Sequence, residues 1–296
     1  MDLKSRTETI SVIVPTRNRP EWLRRLWQSA KDTASVMPEF CTYIDDDDVL
    51  SVPVCEELGI KYRQGPKKVY TQNYNEAVEV ATGSIMFDVA DDFILREKDW
   101  DLKVISEFDK VDDKLILVHG FDGTEGAENA THFFVHRRWV ETLGYLFPPY
   151  FRWANADVWM TRVAKMIGRQ VYLPITLAEH MHLCQGKAVV DSTYSEASDR
   201  IRKYAWADIA GYHSLEDRRS DIEADAQKLR EAIEYYAKNH RHDDHTSSNR
   251  STAAVCEEKG MDSSSSRGQE DSYKLESTGG SVPKPLRPRF TRQRTI

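Results

Sequence analysis

The stretch Ser84-Ile85-Met86-Phe87-Asp88-Val89-Ala90-Asp91-Asp92 sets an apolar run against three acids, and it constrains the fold more than any other part of the chain. An apolar run this short, bounded by a glycine and acids, predicts a buried strand of a parallel sheet. Upstream, Tyr74, Ala77, Val78 and Ala81 recur at helical spacing, with Gly83 as the predicted helix stop. Asp88, Asp91 and Asp92 then fall at the carboxyl tip of the strand, where open α/β sheets bind ligands. Carboxylates crowded at one tip repel unless a cation sits among them, and oxygen ligands suit a hard divalent ion such as Mg²⁺ or Mn²⁺.

The rest of the chain repeats the strand–loop–helix pattern. Thr9 to Pro15 reads as a first strand, followed by the polar turn Thr16-Arg17-Asn18-Arg19. Pro20 suits a first helical position, and Trp22, Leu23, Leu26, Trp27 and Ala30 share one helix face. Cys41 to Ile44 is a second strand running into Asp45-Asp46-Asp47-Asp48. An early acid of that run, Asp45, is placed to hydrogen-bond a base or ribose, whereas Asp47 and Asp48 are expected to be solvated. Pro53–Leu58 reads as a short helix, Ile60–Arg63 as a brief strand, and Thr71–Ala81 as the helix leading into the acidic stretch. Lys67 and Lys68 are either solvent-exposed or phosphate contacts.

Beyond Asp92, helices are expected at Trp100–Phe108, at Trp139–Leu143 before Gly144, and from Asp157 to Ile167 before Gly168. Strands are expected at Lys114–His119, His132–Val135 and Gln170–Leu173, with Gly120–Thr131 long enough to be a functional flap. Glu179-His180-Met181-His182 is expected in a loop. Ser198–Tyr212 and Glu216–Lys238 read as helices, the second with the narrow apolar stripe Ile222, Ala226, Leu229 and Ile233. From residue 240 the composition turns to Ser, Thr, Gly, Pro and charge, which predicts disorder and ends in a basic segment from Lys284 to Arg294.

Composition excludes some functions. A net charge of −7 argues against a general nucleic-acid or membrane-surface binder. No run is long and apolar enough for a membrane span, and residues 1–10 are too polar for a signal peptide. Cys41, Cys55, Cys184 and Cys256 form no CxxC pair, so a zinc site or disulfide framework is not expected and a reducing cytoplasm fits.

The assembled motifs resemble the family 2 type of nucleotide-sugar glycosyltransferases with the GT-A fold, over roughly Ile10 to Tyr194. Val12 to Arg19 is similar to that family's first strand and nucleotide-cradling loop. Asn73-Tyr74-Asn75-Glu76-Ala77 with Ala81-Thr82-Gly83 is similar to the helix before its metal motif. Asp91-Asp92 stands at the end of the family's Asp-x-Asp motif, whose first Asp is replaced here by Val89 or Ala90. Phe147 to Asp157 resembles the acceptor-side segment, with Ala156 where a Glu often precedes the base. Glu179 to His182 resembles the late segment whose histidine completes the metal site.

The resemblance implies an α/β fold of GT-A (Rossmann-like) type: a mostly parallel twisted sheet flanked by helices in residues 1–195, a helical extension at 196–239 and a disordered tail at 240–296. It implies a metal-dependent transfer of sugar from a UDP- or GDP-type donor to an acceptor hydroxyl, with inversion, in a cytoplasmic enzyme. The acceptor class stays open among glycan, protein, lipid and modified nucleic acid. Pro15, Thr16, Arg17, Arg19, Asp45, Asn75 and Asp91 are expected on the nucleotide. Mn²⁺ or Mg²⁺ is expected on Asp91, Asp92 and His180, with His182 as second choice, and Asp157 is expected to be the general base. The rivals are a nucleotidyltransferase, for which the loop after strand one lacks the usual glycines, and a module that binds nucleotide or glycan without turnover.

Overall fold

The computed structural model describes residues 8–151, 155–182, 186–188, 190–193, 195 and 215–251. The chain divides into two units between Ser248 and Asn249, and the architecture below belongs to the first. The Ser198–Tyr212 helix, Arg152 to Ala154 of the acceptor segment, Cys184, Cys256 and the tail from residue 252 lie outside the described residues.

The strands are β1 (Ile10–Ile13), β2 (Glu39–Asp45), β3 (Lys61–Gly65), β4 (Ile85–Asp88), β5 (Phe93–Leu95), β6 (Leu117–Phe121), β7 (Phe134–His136), β8 (Gln170–Thr176) and β9 (Ala178–His180). The helices are α1 (Pro20–Thr33), α2 (Ser51–Leu58), α3 (Tyr70–Val78), α4 (Trp100–Asp109), α5 (Arg137–Leu143), α6 (Ala156–Met166) and α7 (Arg219–Ser251). Seven strands form one sheet in the order β3-β2-β1-β4-β7-β6-β8. Every neighbouring pair is parallel except those made by β7, which runs against both β4 and β6. This is the mostly parallel α/β sheet expected from sequence.

Strand alternation feeds two apolar layers. Val12, Phe87, Val118 and Phe134 face one side, where Leu23, Leu26 and Ala30 of α1 and Trp100, Val104 and Phe108 of α4 cover them. Their neighbours Ile13, Met86, Leu117 and Val135 face the other, against Tyr74 and Ala77 of α3, Trp139 of α5 and Trp159, Met160 and Val163 of α6. The predicted stripe on α7 packs on this second layer: Ile222, Ala226 and Leu229 are buried and Ile233 partly so. Removing such side chains from water supplies roughly 1.5–3 kcal/mol each, the main favourable contribution to the fold. α7 extends to Ser251, past the boundary expected at 240.

Gly83 departs from its predicted role. The helix ends at Val78, and Gly83 is not among the left-handed residues. Its place is set by proximity instead: a Cβ there would stand 2.4 Å from Ser11 Oγ and 2.9 Å from Ser11 N. Bare backbone lets the Gly83 amide donate to Ser11 Oγ (2.9 Å) and to Glu39 Oε1 (2.8 Å). Glu39 also accepts from the Thr82 amide (2.5 Å), Lys61 Nζ (2.6 Å) and the Ser11 hydroxyl. One carboxylate thus ties β1, β2, β3 and the turn before β4 at their amino ends. Two further readings change. Glu179-His180 is not loop but strand β9, paired antiparallel with β5. Asp48 is not solvated but buried, accepting from the amides of Asn18 (2.8 Å) and Ser51 (3.0 Å).

Burial opposes charge on Glu39, but Lys61, Ser11 and the Thr82 and Gly83 amides outweigh it and pull its pKa down to about 2. Because folding lowers this pKa, the stability it contributes is complete above the ordinary glutamate range and is lost as pH falls toward about 2. Glu39→Gln should cost about 2 kcal/mol at neutral pH, by weakening hydrogen bonds to a charged acceptor. It should also lose stability less steeply than wild type as acid is added. Urea melts at several pH values check both; parallel pH slopes for the two proteins would contradict the assignment.

Candidate active site

The strand order reverses at β1: β2 lies on one side and β4 on the other, so the loops leaving β1 and β4 diverge and open a crevice at their carboxyl ends. A cavity of ≈ 330 Å³ occupies it. Pro15, Thr16, Arg17 and Arg19 reach it from the loop after β1, Asp45 from β2, and Ala90, Asp91 and Asp92 from the loop after β4. Thr131 and His132, Asp157 of α6, and His180 and His182 complete the opposite wall.

Arg19 organises the charge. Its side chain is 8% exposed, and Nη1 donates to Asp91 Oδ1 at 3.0 Å and lies 3.6 Å from Asp92 Oδ2. Its Nε and Nη2 donate to the two carboxylate oxygens of Asp191 at 2.8 and 3.2 Å. Burial works against the ionised guanidinium, but Asp91, Asp191 and Asp92 outweigh it and hold its pKa above the ordinary range. Asp91 also accepts from Thr16 Oγ1 at 2.9 Å. Burial pushes the Asp91 carboxyl up to about 6, with Arg19 and Thr16 pulling down and Asp92 adding to the rise. Toward β2, Arg17 donates to Asp45 (2.9 Å) and to exposed Asp47 (2.5 and 2.7 Å).

Asp92 faces the histidines. Its Oδ1 stands 3.0 Å from His180 Nε2, and its carbonyl accepts from the Met181 amide at 2.8 Å. The ladder that pairs Phe93 with His180 sets this approach. The His180 and His182 rings lie 5.0 Å apart. Burial, and next the neighbouring His180, hold His182 below the usual imidazole range, which favours the neutral ring that binds metals. Among the described residues no three His, Cys, Asp or Glu side chains stand ready as a metal site. Asp92 Oδ1 and His180 Nε2 are in direct hydrogen-bond contact at 3.0 Å, which is also the separation of adjacent ligands on an octahedral ion with bonds of about 2.1 Å, and a carboxylate beside an imidazole is a donor set compatible with Mn²⁺. Of the two positions that replace the motif's first Asp, Ala90 lines the cavity and Val89 is buried in the apolar layer.

Asp88 is separated from the other two acids. It accepts from the Phe133 amide at 2.6 Å, where β4 meets β7, and does not line the cavity. Burial drives its pKa well above the carboxylate range, against the Phe133 amide, with Asp157 and Asp122 adding to the rise. Asn75, expected on the nucleotide, is not among the residues that line the cavity. Its amide donates to the Phe147 carbonyl (2.8 Å) and accepts from the Leu146 and Phe147 amides (2.9 and 3.0 Å), which pins the turn before the acceptor segment. Asn73, two residues earlier, lines the cavity instead.

His132, which also lines the cavity, stands outside the expected site residues. Its Nδ1 lies 2.9 Å from Asp122 Oδ2, and both side chains are buried. Burial opposes charge on Asp122, but His132 and the Thr124 and Glu125 amides outweigh it and lower its pKa. A carboxylate on one imidazole nitrogen fixes the ring and leaves the other for the site. The only advance signal was the glycine-rich 120–131 loop. Tyr70 and Thr193 are further lining residues outside the expected set, and Lys68, read from sequence as either solvent-exposed or a phosphate contact, lines the cavity as well. Asp157, in the first turn of α6, accepts from Asn129 Nδ2 at 3.0 Å.

Asn75→Ala should therefore act on stability rather than on ligand binding. Loss of three hydrogen bonds that leave backbone groups unpaired should cost about 2–4 kcal/mol, with nucleotide affinity within a factor of about two. Denaturant melts and calorimetry with UDP and GDP measure the two effects; a large loss of affinity in a normally stable variant would return Asn75 to the nucleotide.

No curated protein matches the chain. Similar solved structures include S. aureus TarS, at 16% identity over 58% of this chain and 36% of that one, with a TM-score of 0.45. The mannosyltransferase PcManGT from Pyrobaculum calidifontis, in complex with GDP-Man and Mn²⁺, is 14% identical over 59% of this chain and 57% of that one, with a TM-score of 0.46. Glucosyl-3-phosphoglycerate synthase from Mycobacterium tuberculosis, in complex with Mg²⁺ and UDP, is 11% identical over 60% of this chain and 72% of that one, with a TM-score of 0.48. The chain spans less than two thirds of the first two. Among the described residues no helix is long and apolar enough to cross a membrane. The model of glycosyl transferase family 2 matches residues 11–162, just over half of the chain and the part that builds β1 to α6 with most of the cavity wall. The chain belongs to glycosyl transferase family 2.

Proposed function

We propose that the chain moves a sugar from a nucleoside diphosphate donor to an acceptor hydroxyl, with inversion at the anomeric carbon. One observation carries the reading: a single cavity at the switch point gathers the loop after β1, Asp91 and Asp92, the histidines and Asp157. Asp45 and Arg17 stand toward β2, on the side suited to base and ribose. Arg19, Thr16 and Asp91 form the connected centre, suited to the ribose and diphosphate. Asp92 and His180 would hold Mn²⁺ or Mg²⁺, with His182 adjacent. When bound, the ion supplies Lewis-acid stabilisation of the departing diphosphate.

Asp157 lies on the far wall at the amino end of α6, the positive end of the helix dipole, oriented by Asn129. In the proposed step the acceptor O–H proton passes to the Asp157 carboxylate and the acceptor oxygen bonds to the anomeric carbon. The bond from that carbon to the diphosphate oxygen breaks, and its electron pair leaves with the nucleoside diphosphate. A single displacement with the base opposite the leaving group inverts the centre. Ala90 in the cavity wall favours one rival, nucleotide binding without turnover, because a carboxylate is missing there.

Donor hydrolysis with Mn²⁺, measured over a panel of UDP- and GDP-sugars, separates the two readings: turnover supports transfer, and thermal stabilisation without turnover supports the binding module. Asp157→Asn should keep the melting temperature and donor affinity while kcat falls by roughly 10²–10⁴, the usual worth of a positioned base. Asp157 lies in the first turn of α6, past the cap at Asn155, so Asn there gives up only a modest interaction with the helix dipole, and an undiminished kcat would reduce Asp157 to a helix-terminal acid. Asp92→Ala should weaken nucleotide binding in Mn²⁺ and leave it nearly unchanged in EDTA; equal loss in both would detach Asp92 from the ion.

A further inference from the structure

Asp191 lies in the polar segment after β9, 172 positions from Arg19, and nothing in its local sequence marks it. Its carboxylate takes the Nε–Nη2 edge of Arg19, the fork that otherwise grips carboxylates or phosphates bidentately. Nη1 is turned to two other acids, at 3.0 Å from Asp91 and 3.6 Å from Asp92. Asp92 meanwhile keeps its Oδ1 3.0 Å from His180 Nε2. Two further contacts hold the segment in place: Thr193 Oγ1 donates to the Arg17 carbonyl at 2.7 Å, and Lys187 pairs with Glu179 at 2.9 Å.

We propose that Asp191 is a positioning residue: by holding one edge of Arg19 it keeps the Arg19–Asp92 ion pair long, at 3.6 Å, so that Asp92 stays on the side of His180, where the donor's divalent ion would bind. The proposal rests on the glycosyl-transfer reading of the cavity. Its physical basis is charge compensation. A guanidinium this deeply buried does not tolerate an emptied fork. Asp91 already holds Nη1 at 3.0 Å, so the next carboxylate in reach is Asp92, whose long 3.6 Å ion pair with Nη1 would shorten as the side chain turns. Asp92 neutralised by Arg19 is a poorer metal ligand and is drawn away from His180.

The test uses the full chain with Asp191→Asn and Asp191→Glu. Mn²⁺ binding in the presence of UDP or GDP is followed by electron paramagnetic resonance of the free ion, alongside melting temperature and steady-state donor hydrolysis. Asp191→Asn should raise the Mn²⁺ dissociation constant about 10–100-fold, the usual cost of losing a group that supports a metal ligand. Its melting temperature should shift by only a few degrees. Asp191→Glu should recover most of the metal affinity, which also settles the matter if the Asn variant does not fold. Unchanged Mn²⁺ affinity in Asp191→Asn overturns the proposal alone. So does tighter nucleotide binding, which would make Asp191 a competitor of the donor phosphate for Arg19. A wild-type chain that binds neither Mn²⁺ nor nucleotide overturns the glycosyl-transfer reading together with the proposal.

Discussion

A buried guanidinium has to be neutralised where it lies, and in this protein that requirement draws three distant pieces of chain together. Arg19 leaves the loop after β1, Asp91 and Asp92 leave the loop after β4, and Asp191 comes from the segment after β9. Desolvating these charges costs several kcal/mol per ion, offset only where the geometry is good. The cluster is therefore a poor source of stability and a strong source of position. It dictates how the two loops at the switch point stand relative to each other, and the cavity between them inherits that geometry.

The amino ends of the same strands carry a second charged knot, at Glu39. There one carboxylate collects donors from β1, β3 and the turn before β4, and Gly83 is bare so that the turn can approach. Between the two knots the sheet is apolar on both faces, from Val12 and Phe87 on one side to Ile13 and Met86 on the other. The stability resides in that apolar middle, and the ends specify register. A slip of one residue would exchange the two faces and break both knots, so burial and charge select the same pairing.

Elements whose burial follows a simple period were legible in the sequence. β1, β4, α1 and α6 follow from short β-branched or apolar runs and from helical spacing, and the turns at Gly144 and Gly168 from glycines that do adopt positive φ. Gly83 misled because a close approach and a helix stop both call for glycine, and only the third dimension separates them. Asp48 misled for a related reason: within a run of four acids nothing local says which one turns inward to cap α2. Asn75 and Asn73 sit two apart on one helix and so face different ways, one to the Leu146–Phe147 turn and one to the cavity. His132 depends on Asp122, a partner recruited across a loop, and composition alone does not reveal such a pair.

The site histidine shows how a missed element can still decide the chemistry. β5 and β9 are three residues each, too short for any periodicity to be visible. Their antiparallel register nonetheless sets Phe93 opposite His180, which brings Asp92, one residue before the ladder, to His180 and leaves His182 beyond it. Alternation along the chain likewise turns Val89 into the core and Ala90 toward the cavity. The chain therefore has an alanine where a first carboxylate would project and an oxygen–nitrogen pair, Asp92 with His180, at the other end of the same turn. In the proposed reading Asp92 and His180 would give a divalent ion two protein donors, too few to hold it alone. Affinity for metal and affinity for nucleotide would then be linked, since each partner would complete the site for the other.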